Sequence, residues 1–342
     1  MPQFSGKNIQ SKCISCGNTG ALLFPHMRDH LFGVSGSWTL IKCKHCGLVW
    51  LHPQPSPEEI PGFYKAYHTH QAPDHIPRIS IESALLIPGT LMGYRNSHLG
   101  VKGRARGRRL SMVGPIREIG KRSVMWLSAH PGGKLLDIGC GNGVFLFNMQ
   151  KHGWNVYGVE TDPKAVQNAR KKFNLEKIHL GTLEDAGLTD ATFDAITMNH
   201  VIEHMLDPID AIKNCFRLLK PGGVLVIATP NAESIGAMHF KSLWRGWEPP
   251  RHIHIFSPRS LSLVAEQAGF HIVSNSTPSG ASYPIWMLSM LLRKKVFLKK
   301  DISVPSKRLK LKSAMACCVE DVLFRLGFQR GEELVLLARR PQ

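Results

Sequence analysis

The sequence predicts an α/β protein, and three observations carry that prediction. Strand-like and helix-like segments alternate from about residue 131 to about residue 340. The first of these strands, Lys134–Ile138, runs into a glycine-rich turn, Asp137–Gly143, of sequence DIGCGNG. The next strand ends on an acidic residue, Glu160. Strands that alternate with helices pair in parallel and bury both sheet faces under the helices.

The elements follow in order. Val144 to His152 reads as the helix after the glycine turn, and Trp154 to Glu160 as the second strand. Asp162 and Pro163 place a capping side chain before a proline at the first helical position, which opens a helix to about Phe173. Ile178–Leu180 is a brief third strand and Phe193–Met198 a fourth. Asp207 and Pro208 start a helix over Ile209–Leu219, which Lys220–Gly223 (KPGG) should stop before a fifth strand, Val224–Thr229. Ser257 and Pro258 open a further helix to about Ala268. Phe270–Asn275 and Glu333–Arg339 read as the last two strands. The segment 276–332 between them is expected to be a helical insertion, with helices over Ser282–Lys300 and Ala314–Leu326.

Glycines let a backbone turn sharply and approach a ligand, and a helix N-terminus offers free N–H groups beside it. An acid at the end of the second strand stands where ribose hydroxyls are bound in dinucleotide folds. A hydride-transfer enzyme shares these features, but Gly139, Gly141 and Gly143 follow a G-x-G-x-G pattern rather than G-x-G-x-x-G.

Asp137–Gly143 and Val159–Pro163 resemble the first two motifs of the class I S-adenosylmethionine (SAM)-dependent methyltransferases, and Leu218–Gly223 resembles a later one. The resemblance covers about residues 131 to 340. It implies a Rossmann-like, seven-stranded core whose glycine loop wraps the methionine end of SAM. The implied cofactor residues are Asp137, Gly139, Cys140, Gly141 and Gly143, with Glu160 and Thr161 at the ribose. Glu184 or Asp185 would stand near the adenine, and Asn199 at the end of the fourth strand. No Asn-Pro-Pro-Tyr type motif follows the fourth strand, which disfavours methylation of an adenine amino group.

Residues 1 to 55 hold two knuckles, Cys13-x-x-Cys16 and Cys43-x-x-Cys46, each followed by glycine. Such turns present two thiolates each to one metal, and four thiolates suit a closed, structural zinc site. Two disulfides or free thiols are the competing readings. Residues 56 to 130 read as a basic, Pro/Gly-rich connector with some helix, and 131 to 342 as the catalytic domain.

The methyl acceptor is expected beyond the carboxyl ends of the fourth and fifth strands. A hydroxyl acceptor needs a base, and histidine is the usual one. The candidates are His204, His252 and His254. His200 and His204 would share a face if their segment is helical, with Glu203 pointing elsewhere. His252 and His254 would share a face if theirs is extended, and Arg251 is placed to hold a phosphate or carboxylate. The Pro-x-x-His-x-x-x-Phe-Ser stretch from Pro249 resembles a methyltransferase subgroup with an N-terminal zinc ribbon, associated with polysaccharide, lipid-linked sugar or secondary-metabolite pathways. That implies an O-directed enzyme acting on a sugar or a sugar-bearing anionic intermediate.

The charge is +18, yet Pro131–Pro230 holds 10 basic and 11 acidic residues, so the excess lies outside the core. It concentrates in 101–130 and 293–312. These stretches favour an anionic partner: a substrate, an acidic membrane surface, or nucleic acid, which makes an RNA methyltransferase the main rival. A module that binds SAM without using it is the non-enzymatic alternative. A polar N-terminus and the absence of a long apolar run suggest a cytoplasmic protein.

Overall fold

The computed structural model describes residues 12–64, 88, 90–94, 101–294 and 305–342. Elements here are β1 Gly20–Met27, β2 Trp38–Cys43, β3 Val49–His52, α1 Ile60–Phe63, α2 Val101–Leu110, α3 Gly114–Arg122, β4 Lys134–Ile138, α4 Val144–Lys151, β5 Asn155–Glu160, α5 Pro163–Phe173, β6 Ile178–Leu180, β7 Phe193–Asn199, α6 Pro208–Leu218, β8 Leu219–Pro230, α7 Ile235–Phe240, β9 His254–Ile255, α8 Pro258–Gln267, β10 His271–Ser276, α9 Ser282–Arg293, α10 Lys307–Arg325 and β11 Glu333–Arg339. A seven-stranded mixed sheet runs in the order β10-β11-β8-β7-β4-β5-β6. β4 to β8 are parallel, and β11 is antiparallel to both β8 and β10. This is a Rossmann-like α/β architecture with the seven strands that the sequence resemblance implies.

The parallel strands are buried on both faces, so they read as continuous apolar runs: Leu225 to Ala228 are fully buried. The chain leaves β4 toward β5 and β6, then returns to β7 and β8 on the other side. That reversal opens a crevice at the carboxyl ends of β4 and β7, where open α/β sheets bind ligands. The predicted caps hold. Asp162 accepts from the amides of Lys164 and Ala165, Asp207 from Asp210, and Ser257 from Ser260.

Two local readings change. Lys220–Gly223 lies inside β8 rather than before it, as a bulge: the register jumps from Phe193↔Leu219 to Ala195↔Val224. The bulge is tied down by Arg340, whose carbonyl accepts from Gly222 N and whose amide donates to Gly223 O, at 2.9 Å each. The segment after β7 is not an α-helix. His200 adopts a left-handed φ of 56° and only Ile202–His204 coil, as one 3-10 turn.

The N-terminal module does not stand apart. Its sheet has the order β1-β2-β3-β9, and β9 comes from the part of the chain that forms the seven-stranded sheet and its helices. Val49 pairs with Ile255 and Trp50 with His254. Cys13, Ile41, Leu48 and Trp50 belong to the same buried cluster as Ile138, Met198 and Phe256. The segments 65–87 and 295–304, parts of the expected connector and insertion, lie outside the described residues.

Candidate active site

The glycine turn closes over β5. Gly139 N and Cys140 N donate to Val159 O at 2.8 and 3.2 Å. Gly139, Gly141 and Gly143 all have positive φ (69°, 55° and 78°), which L side chains rarely adopt. A Cβ on Gly139 would lie 2.5 Å from a Val201 methyl, and one on Gly143 2.7 Å from Leu175. Gly141 faces open space. Its amide donates to Glu160 Oε2 at 2.7 Å, and Asp162 N donates to Glu160 Oε1 at 2.9 Å. The turn and the acid therefore form one cradle. Asp137 is buried beneath it, its Oδ1 accepting from the Thr197 hydroxyl at 2.6 Å. Burial, with the nearby Glu160 charge adding to it, lifts the Asp137 carboxyl to about 7 against the lowering by Thr197. Cys140 is buried, while Thr161, Glu184, Asp185 and Asn199 are exposed. Asp185 accepts from the Thr182 hydroxyl at 2.9 Å, and Asn199 Oδ1 lies 3.4 Å from Arg122 Nη2.

Beyond the end of β7 lies a polar cluster. His200 Nδ1 is 3.1 Å from Glu203 and its Nε2 2.9 Å from Glu333. Arg122 also donates to Glu333 at 3.1 Å. Burial opposes a charge on His200, but the two carboxylates outweigh it and hold the imidazolium up to about 9. Burial likewise opposes the Glu203 charge, and His200 outweighs it, pulling that carboxyl down to about 2. Glu203 thus points into the cluster, contrary to expectation, because the 3-10 turn rotates it inward to meet Thr229 Oγ1 at 2.9 Å.

The ligand atoms of Glu203, His204 and His252 lie within 4.8 Å of one another. His204 Nδ1 sits 2.9 Å from Arg251 O and 3.0 Å from the Tyr64 hydroxyl. His252 Nδ1 sits 2.6 Å from Gly246 O. Carbonyls only accept, so both rings carry their proton on Nδ1. Burial pulls His252 and His254 down to about 4, so both are neutral. His254 is engaged on both sides, by Met205 O at 3.2 Å and Gln54 Nε2 at 3.0 Å.

Residues 115–275 match a family model described as a methyltransferase domain. The match spans just under half of the chain and makes this region similar to methyltransferase domains. A malonyl-[acyl-carrier protein] O-methyltransferase of Serratia marcescens is 30% identical over 142 residues, 42% of this chain and 55% of that protein. A ubiquinone biosynthesis O-methyltransferase of Erwinia tasmaniensis is 30% identical over 129 residues, 35% of this chain and 53% of that protein. The chain thus spans about half the length of these curated relatives. A solved phosphoethanolamine N-methyltransferase 2 of Haemonchus contortus, in complex with SAM, superposes with a TM-score of 0.44 at 16% identity, covering 66% of this chain and 52% of that one.

Outside residues 115–275, the sulfurs of Cys13, Cys16, Cys43 and Cys46 all lie within 4.8 Å of one another. Cys13 Sγ is 3.4 Å from Cys46 Sγ and Cys16 Sγ 3.5 Å from Cys43 Sγ, too far for disulfides. Each knuckle closes by a glycine amide: Gly17 N to Cys13 O at 2.8 Å and Gly47 N to Cys43 O at 3.0 Å.

Arg251 does not face a ligand. It is buried, its Nη1 and Nη2 gripping Asp29 at 3.0 and 3.1 Å and its Nε donating to Glu248 at 2.8 Å. It joins the cysteine module to the region of the family match. Sequence reasoning missed Glu203, Thr229, Glu333 and Tyr64 as members of the cluster. The signal for Glu333 was its place at the start of an antiparallel last strand, which brings it to the carboxyl end of β8.

Proposed function

We propose that the chain transfers the methyl group of SAM to an oxygen of a small-molecule acceptor, a hydroxyl of a sugar or of a sugar-bearing anionic or lipid-linked intermediate. The observation that carries this reading is a juxtaposition. Val201 fills the space against Gly139, so the cofactor cradle and the His204–His252–Glu203 cluster stand on adjoining turns. The names of the two curated relatives, both O-methyltransferases, agree with an oxygen acceptor.

When bound, the cofactor supplies an electrophilic methyl on a sulfonium. Gly139, Cys140, Gly141 and Gly143 hold its methionine end and Asp137 braces the turn from below. Glu160 and Thr161 take the ribose hydroxyls, Glu184 or Asp185 borders the adenine, and Asn199 lines the mouth. His204 is the base: with Nδ1–H donated to Arg251 O, its Nε2 lone pair is left to take the acceptor proton. The nearby Glu203 carboxylate then stabilises the imidazolium. His252, neutral and anchored to Gly246 O, completes the wall. His254, with both ring nitrogens engaged, holds the wall in place. The four cysteines hold a structural zinc, since a four-thiolate set leaves no open coordination position.

The test supplies methyl-labelled SAM and an extract of the source cells, then counts label in nucleic acid, protein, lipid and small-molecule fractions. Label in the small-molecule or lipid fraction is expected. Label confined to RNA overturns the reading. With an acceptor in hand, His204→Ala should lower kcat by about 10²–10⁴-fold at unchanged SAM affinity; a change below about threefold would remove His204 from the role.

A further inference from the structure

α10 buries polar side chains and exposes apolar ones. Its buried side carries Ser313, Glu320 and Asp321 together with Leu309 and Cys317. Glu320 accepts from the Ser282 hydroxyl, the Trp286 indole and Glu332 N, and Asp321 from the Ser279 hydroxyl. The outward side carries Leu311, Met315, Val319 and Val322, and Leu326 follows directly; these five are 55 to 68% exposed. Steps of three and four residues align them in one stripe. An ordinary surface helix shows the reverse arrangement. Exposing five large apolar side chains in register is costly unless something covers them.

The surroundings of the stripe are basic. Both acids of α10 are buried, and Asp321 pairs with Arg325 at 2.7 Å, so the surface charge of α10 comes from Lys307, Arg308, Lys310 and Lys312. α3 begins against the same helix, where a Cβ on Gly114 would lie 1.9 Å from Asp321 Oδ2. That contact brings the exposed Met112 and Val113 close to α10, with the exposed Arg106, Arg108 and Arg109 of α2 just before them. Described residues of the two basic stretches, far apart in the chain, thus belong to α10 and to α2, the helix that precedes the α3 start packed on α10.

We propose that this face docks on an anionic lipid surface. An interfacial helix sinks its apolar side into the headgroup boundary while lysines and arginines reach the phosphates. The charge pattern disfavours a second copy, because two such faces would bring like charges together. It disfavours nucleic acid too, because Leu, Met and Val give bases no stacking platform. The bond from Glu332 N to Glu320 fixes α10 beside the start of β11, next to Glu333 and the His200 cluster. α10 therefore packs by its buried side at the same end of the sheet as the His200 cluster, with the docked face turned outward. Its use in presenting a lipid-linked acceptor rests on the methyl-transfer reading, whereas docking itself does not.

The experiment is co-sedimentation of the full chain with vesicles of phosphatidylcholine alone or mixed with phosphatidylglycerol, at low and high salt. SAM affinity, measured by calorimetry on the same protein, tests the cofactor reading separately. The expected result is pelleting with the acidic vesicles only, weakened by salt. Leu311→Ser/Val319→Ser/Leu326→Ser should abolish it, and Lys310→Gln/Lys312→Gln should weaken it by about fivefold per lysine, both at unchanged SAM affinity. No pelleting by protein that binds SAM overturns the proposal, as does pelleting that the triple serine variant retains. Light scattering that shows a dimer lost in the triple variant would assign the stripe to a second copy, and RNA binding lost in it would assign it to RNA; either overturns lipid docking.

Discussion

Arg251→Met should destabilise the protein as a buried charge lost from between two carboxylates. The guanidinium is fully buried, makes a bidentate bond to Asp29 at 3.0 and 3.1 Å and a third bond to Glu248 at 2.8 Å, and stacks over Phe32 at 4.3 Å. Burial opposes the Asp29 charge, and Arg251 together with the amides of Phe32 and Val34 holds its carboxyl below the usual range. Methionine keeps most of the volume but removes the charge. Glu248 keeps Arg245, whereas Asp29 keeps only backbone donors among the described residues. Breaking a buried ion pair from one side costs about 3–5 kcal/mol, because the other charge stays buried. For a chain of this size, roughly 2 °C per kcal/mol puts the fall in Tm at about 6–10 °C. Urea unfolding followed by tryptophan fluorescence measures it, with limited proteolysis locating the loosened segment in residues 12–64. Arg251→Met/Asp29→Asn should recover part of the loss by removing the stranded charge. A single-variant loss below about 1 kcal/mol, or a double variant worse than the single, would refute the reasoning.

Three further outcomes follow from the same geometry. Glu160→Ala should weaken SAM binding about 10–100-fold in calorimetry, the worth of charge-assisted bonds to two hydroxyls; a change below threefold would take Glu160 out of the cofactor site. The purified chain should carry one zinc by elemental analysis, lost in Cys13→Ser/Cys43→Ser. Chelation should open residues 12–55 to protease, and unchanged cleavage there would sink the zinc assignment. His200, held at about 9 against an ordinary 6.5, contributes stability that is fully present below pH 6.5 and lost as pH rises through about 9. The advantage of the wild type over His200→Asn in unfolding free energy should therefore narrow across that window, from at most about 3 kcal/mol; a constant difference would mean that His200 is neutral in the fold.

The strands, the caps, the glycine turn with Glu160 and the paired cysteine knuckles were legible in the sequence because each is written in consecutive residues. Periodicity, a capping side chain before a proline, and a glycine at a forced positive φ all act within a few residues, so local pattern reports them. The histidine cluster was legible only in part. His204 and His252 were named, but their arrangement depends on the 3-10 turn after β7, which leaves His200 and His204 off a common helical face and turns Glu203 inward. The partners of the buried charges were not legible at all. His200 meets Glu333 from 133 residues away, Arg122 meets it from 211, and Arg251 meets Asp29 from 222. A buried charge needs a counter-charge, but the sequence says only that one must exist; packing chooses which. The same holds for β9, two residues that complete the cysteine module's sheet, and for α10, whose composition reads as an ordinary helix until its neighbours decide which side is turned to solvent.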